Sequence, residues 1–152
     1  RDAQDTGLPI ASVDTIVSNS FFEHAQDVGA VAEETWQILS EGGSQFHMID
    51  FQNYRGSLDP FEQMYDIPRD EFLAQQSLLN GLRPEEFLAC YTAFHPSLIE
   101  FLPYIRWDED FASLRNRHVS WNGTDPSSLA VASGLLYIEK QADYVSETGD
   151  TT

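Results

Sequence analysis

The chain has 152 residues, a length that suits one domain with a hydrophobic core. It carries 25 acidic and 8 basic side chains, which gives a formal net charge of -17. A surface this negative repels nucleic-acid phosphates and anionic lipid headgroups, so we expect neither nucleic acid nor a membrane surface as a partner.

Cys90 is the one cysteine, so no disulfide forms within the chain. No apolar run approaches the roughly 20 residues that cross a bilayer, and no secretory signal is recognisable, so we expect a cytoplasmic protein.

The first third of the chain has the pattern of a strand, a helix and a second strand. An apolar run from Val13 to Val17 is bounded by turn residues, which predicts a strand buried on both faces, as in a parallel sheet. A helical apolar periodicity follows, with Asp27 as the expected N-cap and Gly42-Gly43 as the expected end. Residues 44–51 predict a second buried strand. Residues 13–51 therefore indicate a βαβ unit.

The middle of the chain predicts a helical insertion after this second strand, over residues 52–82. It mixes aromatic residues with turn signals, and it is too rich in Phe, Leu and Tyr to be a disordered linker. Asp59-Pro60 and Pro68 are each expected to open a helix, because proline suits the first helical position.

The last part predicts one more helix and two more strands. Pro84 opens a short amphipathic helix, and a third strand follows in which Pro103 indicates an edge position or a bulge. A capped helical turn at Asp125 then precedes a last strand. We expect one domain portion over residues 1–141 and a polar tail over 142–152.

Polar residues follow the first two predicted strands. Ligands of open α/β sheets bind at the carboxyl ends of the strands, and here Asn19 and Asp50 stand at those positions. Asn19 either contacts a ligand through its amide or only closes the strand as a turn residue. His24, beside Glu23, is either a ligand contact or general base, or only a helix-entry residue. His47, between Phe46 and Met48, is expected to be a hydrogen-bonded interior histidine.

Several common site motifs are missing from the sequence. The four histidines form no HxxxH-type pair, so a zinc site is not expected. No Gly-x-Ser-x-Gly elbow indicates acyl transfer. Neither Gly-x-x-x-x-Gly-Lys nor Gly-x-Gly-x-x-Gly occurs, which argues against a complete nucleotide-binding domain.

Read together, the segment DAQDTGLPIASVDTIVSNSFFEHAQDVGAVAEETWQILSEGGSQFHMIDF resembles the middle of a class I S-adenosylmethionine-dependent methyltransferase domain. The resemblance is dense over about the first third of the chain and loose beyond it. The matching elements, in order, are Asp2-Ala3, Leu8-Pro9, Asp14, Phe22-Glu23-His24 with Asp27, Leu39 with Gly42-Gly43, and Asp50.

The resemblance implies an α/β, Rossmann-like sheet of which this chain supplies strands four to seven. The last strand would be antiparallel and would lie between strands five and six. The glycine-rich loop and the ribose-binding acidic residue of the family have no counterpart in the 152 residues. We therefore expect the C-terminal portion of a methyltransferase domain, with weak or absent binding of S-adenosylmethionine by this chain alone.

The resemblance also implies roles for particular residues. Asp2 and Ala3 would flank the adenine of the cofactor, and Asn19 and Ser20 would lie near its methionine end. His24 would face the methyl acceptor, as a contact or as a base. Two further residues, Asp50 and Tyr54, would shape the pocket of a small-molecule acceptor.

Two alternatives remain open beside a methyltransferase fragment. One is a catalytically inactive methyltransferase-like scaffold or binding module, and the other is a flavodoxin-like binding domain, against which the bulky residues after the first strand argue. Because strand four of the family normally pairs with strand one, the edge near residues 13–19 is expected to be open. We therefore expect a homodimer through that edge.

Overall fold

The computed structural model describes residues 2–54, 58–75, 78–107 and 116–142. Its regular elements, in chain order, are β1 (Val13–Asn19), α1 (Val28–Ile38), β2 (Leu39–Asp50), α2 (Arg69–Gln75), α3 (Pro84–Thr92), β3 (Leu98–Arg106), α4 (Pro126–Leu129) and β4 (Val131–Glu139). Short 3-10 turns cover Phe22–His24 and Val119–Trp121. Apart from its first residue, the polar tail predicted over 142–152 lies outside the described residues.

The four strands form one mixed sheet in the order β1-β2-β4-β3. β1 pairs with β2 in parallel, and β4 runs antiparallel to both β2 and β3. The prediction of an α/β sheet whose last strand is antiparallel and lies between the two strands before it is confirmed. Consequently β1, β2 and β3 all point their carboxyl ends to the same edge of the sheet.

Capping and proline residues in the sequence predicted several element boundaries correctly. The Asp27 carboxylate caps α1 by accepting a hydrogen bond from the backbone N–H of Ala30 at 2.9 Å. Helix α2 begins directly after Pro68, and α3 begins at Pro84. Pro103 lies in β3, an edge strand whose register shifts between Pro103 and Ile105, as proline's missing N–H requires.

The expected end of α1 at Gly42-Gly43 is wrong. The helix ends at Ile38, Leu39 is already extended with φ -69° and ψ 130°, and both glycines lie in β2. Strand pairing draws residues 39–43 into β2 and away from the helix. Leu39 is the register partner of Val13, and the Gly42 N–H donates to the Lys140 carbonyl at 3.1 Å. Gly42 has a φ of +74°, a conformation that glycine adopts without strain.

The expected helix start at Asp59-Pro60 is also wrong, since residues 58–67 form successive turns. The Asp59 carboxylate accepts from the backbone N–H of Phe61 at 2.9 Å, which is a local turn interaction. The backbone N–H of Asn53 donates to the carbonyl of Pro60 at 2.8 Å. These contacts give the backbone partners that a helix would otherwise supply.

The sheet is covered on one face only by the described residues. Helices α1 and α3 pack on the face that carries the buried residues of β2, and this layer forms the main core. The opposite face is apolar and partly exposed; its members are Val17, Phe46, Met48, Leu98, Leu102, Leu135 and Tyr137. The prediction that β1 is buried on both faces is therefore wrong for the described chain, where Val17 is 72% exposed.

A fully buried arginine joins the insertion to the sheet. Arg83 is 0% exposed, and its guanidinium donates to four backbone carbonyls. These carbonyls belong to Phe51, Ser128, Leu129 and Val131, at 3.3, 2.8, 3.2 and 2.6 Å. The guanidinium also lies 4.7 Å from the ring centroid of Phe51. Carbonyl dipoles and ring faces thus replace the carboxylate that usually accompanies a buried arginine.

A second core cluster lies between the insertion and the segment that leads into β4. Its buried members are Phe61, Met64, Tyr65, Phe72, Leu79, Trp121, Leu129, Ala130 and Ala132. The Tyr65 hydroxyl donates to the Leu129 carbonyl at 2.9 Å. Within the described ranges, no helix combines the length and apolar character needed to cross a membrane.

Arg83→Met should lower the free energy of unfolding by about 3 kcal/mol or more, because buried carbonyls left without a donor cost about 1–3 kcal/mol each. Urea denaturation followed by circular dichroism measures this change. Arg106→Met, at an exposed position of β3, is the matched control and should change stability by no more than about 0.5 kcal/mol. An Arg83→Met variant as stable as the wild type would contradict the assigned role.

Candidate active site

A cavity of about 350 Å³ lies at the carboxyl ends of β1 and β2. It is lined by Ser20, His24, Asp50, Asn53, Tyr54, Leu78 and Leu79. Residues that follow two neighbouring parallel strands thus meet residues of the insertion, at the sheet edge where open α/β folds bind ligands. The structure brings together four of the residues predicted from sequence, namely Ser20, His24, Asp50 and Tyr54.

Tyr54 lies between two carboxylates. Its hydroxyl oxygen is 3.1 Å from Glu23 Oε1 and 3.1 Å from Asp50 Oδ2. The backbone of Tyr54 has a φ of 54°, an uncommon conformation for a tyrosine. Burial, followed by the charges of Glu23 and Asp50, raises the pKa of the Tyr54 phenol, so the phenol stays protonated at neutral pH.

Glu23 is the buried acid of the site. Only 3% of its surface is exposed, and its second oxygen, Oε2, has no hydrogen-bond partner in the described structure. Burial raises the pKa of Glu23, although its backbone, Tyr54 and His24 act in the opposite direction. From the sequence alone, Glu23 was given no role of its own, because nothing in the local pattern shows that Tyr54 lies against it.

His24 is held by the insertion. Its Nδ1 lies within hydrogen-bond distance of the Leu78 carbonyl, which can only accept, so Nδ1 carries the hydrogen. Its Nε2 lies 3.9 Å from Glu23 Oε1, and 40% of the side chain is exposed. This geometry leaves Nε2 as the available basic atom of the neutral ring.

Asn80 ties the insertion to the 3-10 turn at Phe22–His24. Its side-chain amide donates to the carbonyls of Phe22 and Ala25 at 2.6 and 3.0 Å, and its backbone N–H donates to the Glu23 carbonyl at 2.8 Å. Sequence reasoning missed Asn80 and Leu78. The Asn80-Gly81 pair is a turn signal, but it carries no information about the distant turn that it contacts.

The residues assigned to the cofactor lie at two places. Ser20 lines the cavity of about 350 Å³ and has a φ of 50°, and its hydroxyl donates to Asn19 Oδ1 at 3.4 Å. Ala3 instead lines a separate, mainly apolar cleft of about 230 Å³ together with Phe21. Asp2 is exposed in a short turn, where its carboxylate accepts from the backbone N–H of Gln4.

The aromatic residues of the insertion divide into core and site. Phe61, Tyr65 and Phe72 are 0% exposed in the second core cluster, so they serve as plain core. Tyr54 lines the cavity and does not belong to that cluster.

His47 is an interior histidine, as predicted. Its Nδ1 lies 2.8 Å from the Ser18 hydroxyl and its Nε2 lies 2.9 Å from Gln45 Oε1. Burial lowers its pKa to about 4, so the ring is neutral at pH 7. It belongs to a polar chain inside the core that continues from Gln45 to Tyr91, whose hydroxyl donates to Gln45 Oε1 at 3.2 Å. Among the described residues, no group of three or more His, Cys, Asp or Glu side chains is arranged to hold a metal ion.

Comparison with known proteins supports the family resemblance. The family model described as a methyltransferase domain matches residues 1–46. A search of curated protein sequences gives no significant match.

Solved methyltransferases share the fold at low sequence identity. A SAM-dependent methyltransferase from Archaeoglobus fulgidus aligns with a TM-score of 0.59 at 11% identity, over 92% of this chain and 66% of that chain. Haemonchus contortus phosphoethanolamine N-methyltransferase 2, solved with phosphomonomethylethanolamine and S-adenosylhomocysteine, aligns with a TM-score of 0.52 at 11% identity. That alignment covers 93% of this chain and 36% of the other. The chain thus has the fold of class I S-adenosylmethionine-dependent methyltransferases and spans less than two thirds of these relatives.

Glu23→Gln should stabilise the protein more at pH 8 than at pH 4, as measured by thermal unfolding. The raised pKa of Glu23 means that its stabilising contribution is present below pH 4.5 and is lost as the pH rises through the folded-state pKa. The variant removes that loss. We expect its Tm, relative to the wild type, to rise with pH by about 2–4 °C for each kcal/mol recovered.

Glu34→Gln is the matched control, because it removes the same charge with the opposite expected sign. Hydrogen bonds from Thr6 lower the pKa of Glu34, so this variant should lose stability near neutral pH and less at low pH. A Glu23→Gln difference that stays flat between pH 4 and 8 would show that Glu23 titrates normally.

Proposed function

We propose that this chain is the C-terminal portion of a class I S-adenosylmethionine-dependent methyltransferase that methylates a small-molecule acceptor in the cavity at the ends of β1 and β2. The observation that carries the proposal is the convergence of His24, Asp50 and Tyr54 on one cavity. These residues lie where the fold binds ligands, and the family match covers the segment that contains His24.

The cofactor residues fit the polar end of S-adenosylmethionine in their chemistry. Asn19 and Ser20 offer an amide and a hydroxyl beside the cavity, and both hydrogen-bonding groups suit a carboxylate or an ammonium group. Ala3 offers an apolar wall in the separate cleft, which suits an adenine ring. When bound, S-adenosylmethionine supplies an electrophilic methyl group on a sulfonium sulfur.

The protein's part in such a reaction is mainly to position the acceptor. Holding two reactants in line supplies up to about 7–11 kcal/mol of the barrier reduction. We propose that Asp50 and Tyr54 orient the acceptor and that His24 contacts it, with Nε2 taking a proton if the acceptor must lose one. Because the sequence contains no glycine-rich cofactor loop, we propose that this chain alone binds S-adenosylmethionine weakly and does not turn over.

His24→Ala, in a full-length methyltransferase that contains this segment, should lower kcat more than it lowers the affinity for S-adenosylmethionine. A lost general base costs about 10²–10⁴-fold in rate. His24→Asn is the matched control, because its amide keeps a donor for the Leu78 carbonyl without a basic nitrogen. Steady-state kinetics and cofactor titration measure the two effects.

The two His24 variants separate three outcomes. A loss of kcat in both variants supports a base. Recovery in His24→Asn indicates that His24 only anchors the insertion, and unchanged turnover in both removes His24 from the mechanism. Absence of any methyl transfer, with cofactor bound, would favour an inactive scaffold module.

We also propose that this chain self-associates through the open edge of β1. In the described structure β1 pairs on one side only, with β2. Unpaired N–H and C=O groups of an edge strand favour pairing with another chain.

Light scattering at micromolar concentration should therefore give the mass of a dimer or a larger assembly. Val17→Lys, on β1, should shift the chain towards monomer because a charge on an edge strand opposes pairing. Leu102→Lys, on the opposite edge strand β3, is the matched control and should leave the assembly intact. A monodisperse wild-type monomer would refute the proposal.

A further inference from the structure

The cavity at the ends of β1 and β2 has acidic groups, and its described lining contains no permanently charged basic side chain to balance them. Asp50 lines it, and Glu23 reaches it through the Tyr54 hydroxyl. No lysine or arginine is among its described lining residues. An anionic ligand would therefore meet repulsion here, and a cationic one would meet attraction.

The hydrogen bonds of Tyr54 also indicate that the site lacks one positive charge. The Tyr54 phenol has one hydrogen, and its oxygen lies 3.1 Å from a carboxylate oxygen on each side. It can donate to one of them, and the other contact is favourable only if that carboxyl carries a proton. The group of Glu23, Tyr54 and Asp50 thus needs one more positive charge, either a proton or a cation.

The buried oxygen of Glu23 points to a ligand as well. Glu23 Oε2 is buried with no partner in the described structure, and an unsatisfied buried carboxylate oxygen is costly. Glu23, Asp50, Leu79 and Asn80 line a second, small cavity of about 10 Å³. It shares Asp50 and Leu79 with the large one. A space this small is close to the size of one water or one ammonium nitrogen.

The rest of the cavity suits an organic group attached to that cation. The rings of His24 and Tyr54 have centroids 6.0 Å apart at 31°, and Leu78 and Leu79 complete an apolar wall. Aromatic faces attract cations, and their edges pack against apolar carbon. The volume of about 350 Å³ lies in the range of small-molecule sites.

We propose that the methyl acceptor is a small primary or secondary amine, bound as its ammonium ion by Glu23, Asp50 and Tyr54. This inference rests on the proposed methyltransferase function. The ammonium group gives one proton to His24 Nε2, which lies 3.9 Å from Glu23 Oε1, and becomes a neutral amine. The nitrogen lone pair then forms the new C–N bond to the methyl carbon while the C–S bond breaks. The bonding pair leaves with sulfur, so the sulfonium becomes a thioether and the product is an N-methylammonium ion.

Binding to the chain is tested with three probes of one shape: benzylamine, benzyl alcohol and benzoate, followed by NMR at pH 7. Benzylamine should shift the resonances of His24, Tyr54 and Leu78 in a saturable way. The alcohol and the carboxylate should bind at least about tenfold more weakly, since a charge-assisted hydrogen bond is roughly twice as strong as a neutral one. Equal binding of the alcohol, tighter binding of benzoate, or no saturable shift at these residues would overturn the amine assignment.

Substitution of Glu23 and of Asp50 tests whether these two carboxylates bind the amine. Glu23→Gln and Asp50→Asn should each weaken benzylamine binding by about tenfold and leave benzyl alcohol unchanged. Glu62→Gln, an exposed residue of the same insertion outside the cavity lining, controls for general attraction to an acidic protein and should have no effect. If the two site variants do not fold, the ranking of the three probes on the wild type decides alone.

A turnover assay distinguishes failure of the amine assignment from failure of the proposed methyltransferase function. A full-length methyltransferase that contains this segment is supplied with S-adenosylmethionine and with amine, alcohol and carboxylate acceptors. Methylation of the amines alone supports both ideas. Methylation of alcohols or carboxylates in preference to amines overturns the acceptor class and leaves the methyltransferase function standing. Saturable, selective amine binding without transfer to any acceptor overturns the function and retains the amine site.

Discussion

The geometry of the site depends on the buried guanidinium of Arg83. It donates to the carbonyl of Phe51, the residue directly after Asp50, and to carbonyls where α4 leads into β4. The end of β2, the start of β4 and the helix that Arg83 precedes are therefore fixed to one point. Because four carbonyls converge on one charged group without a carboxylate, the arrangement is specific to arginine's planar, multiply donating head. Because Phe51 directly follows Asp50, this constraint fixes the backbone beside Asp50 at the end of β2.

The second constraint is the contact between the insertion and the turn after β1. His24 and Asn80 join segments that are 54 to 58 residues apart in sequence. Their hydrogen bonds hold Leu78 and Asn80 of the insertion against the 3-10 turn that carries Glu23 and His24. Glu23 is buried beside these contacts, and burial raises its pKa. The insertion therefore does more than cover the site, because it also determines the proton affinity of a group inside it.

The sequence predicted well those features that depend on local chemistry. Asp27 caps a helix, Pro84 opens one and Pro103 marks an edge strand, because each effect acts within a few residues. The order and direction of the strands came from the family resemblance. Gly42-Gly43 was misassigned because strand pairing with distant residues outweighed a local helix-end signal. Asp59-Pro60 was misassigned because turn hydrogen bonds, and not helical ones, satisfy the backbone groups of this segment.

The site was predicted only in part, for a related physical reason. Ser20, His24, Asp50 and Tyr54 line one cavity beyond the ends of β1 and β2, and their roles stay predictions. Asn80 escaped notice and Glu23 was given no role of its own, since their importance comes from long-range contacts and from burial that no window of sequence contains. Arg83 likewise gave no signal, as an arginine beside a helix start is usually a surface residue.

The sheet face that the described residues leave uncovered links the stability of this chain to other molecules. Seven partly exposed apolar side chains, from Val17 on β1 to Leu102 on β3, share that face. Apolar surface contributes to folding only once water has been removed from it. A molecule that binds this face in the folded state therefore stabilises the fold. The stabilisation grows with the logarithm of the concentration of that molecule. The melting temperature of this polypeptide is in consequence a property of the mixture in which it is measured.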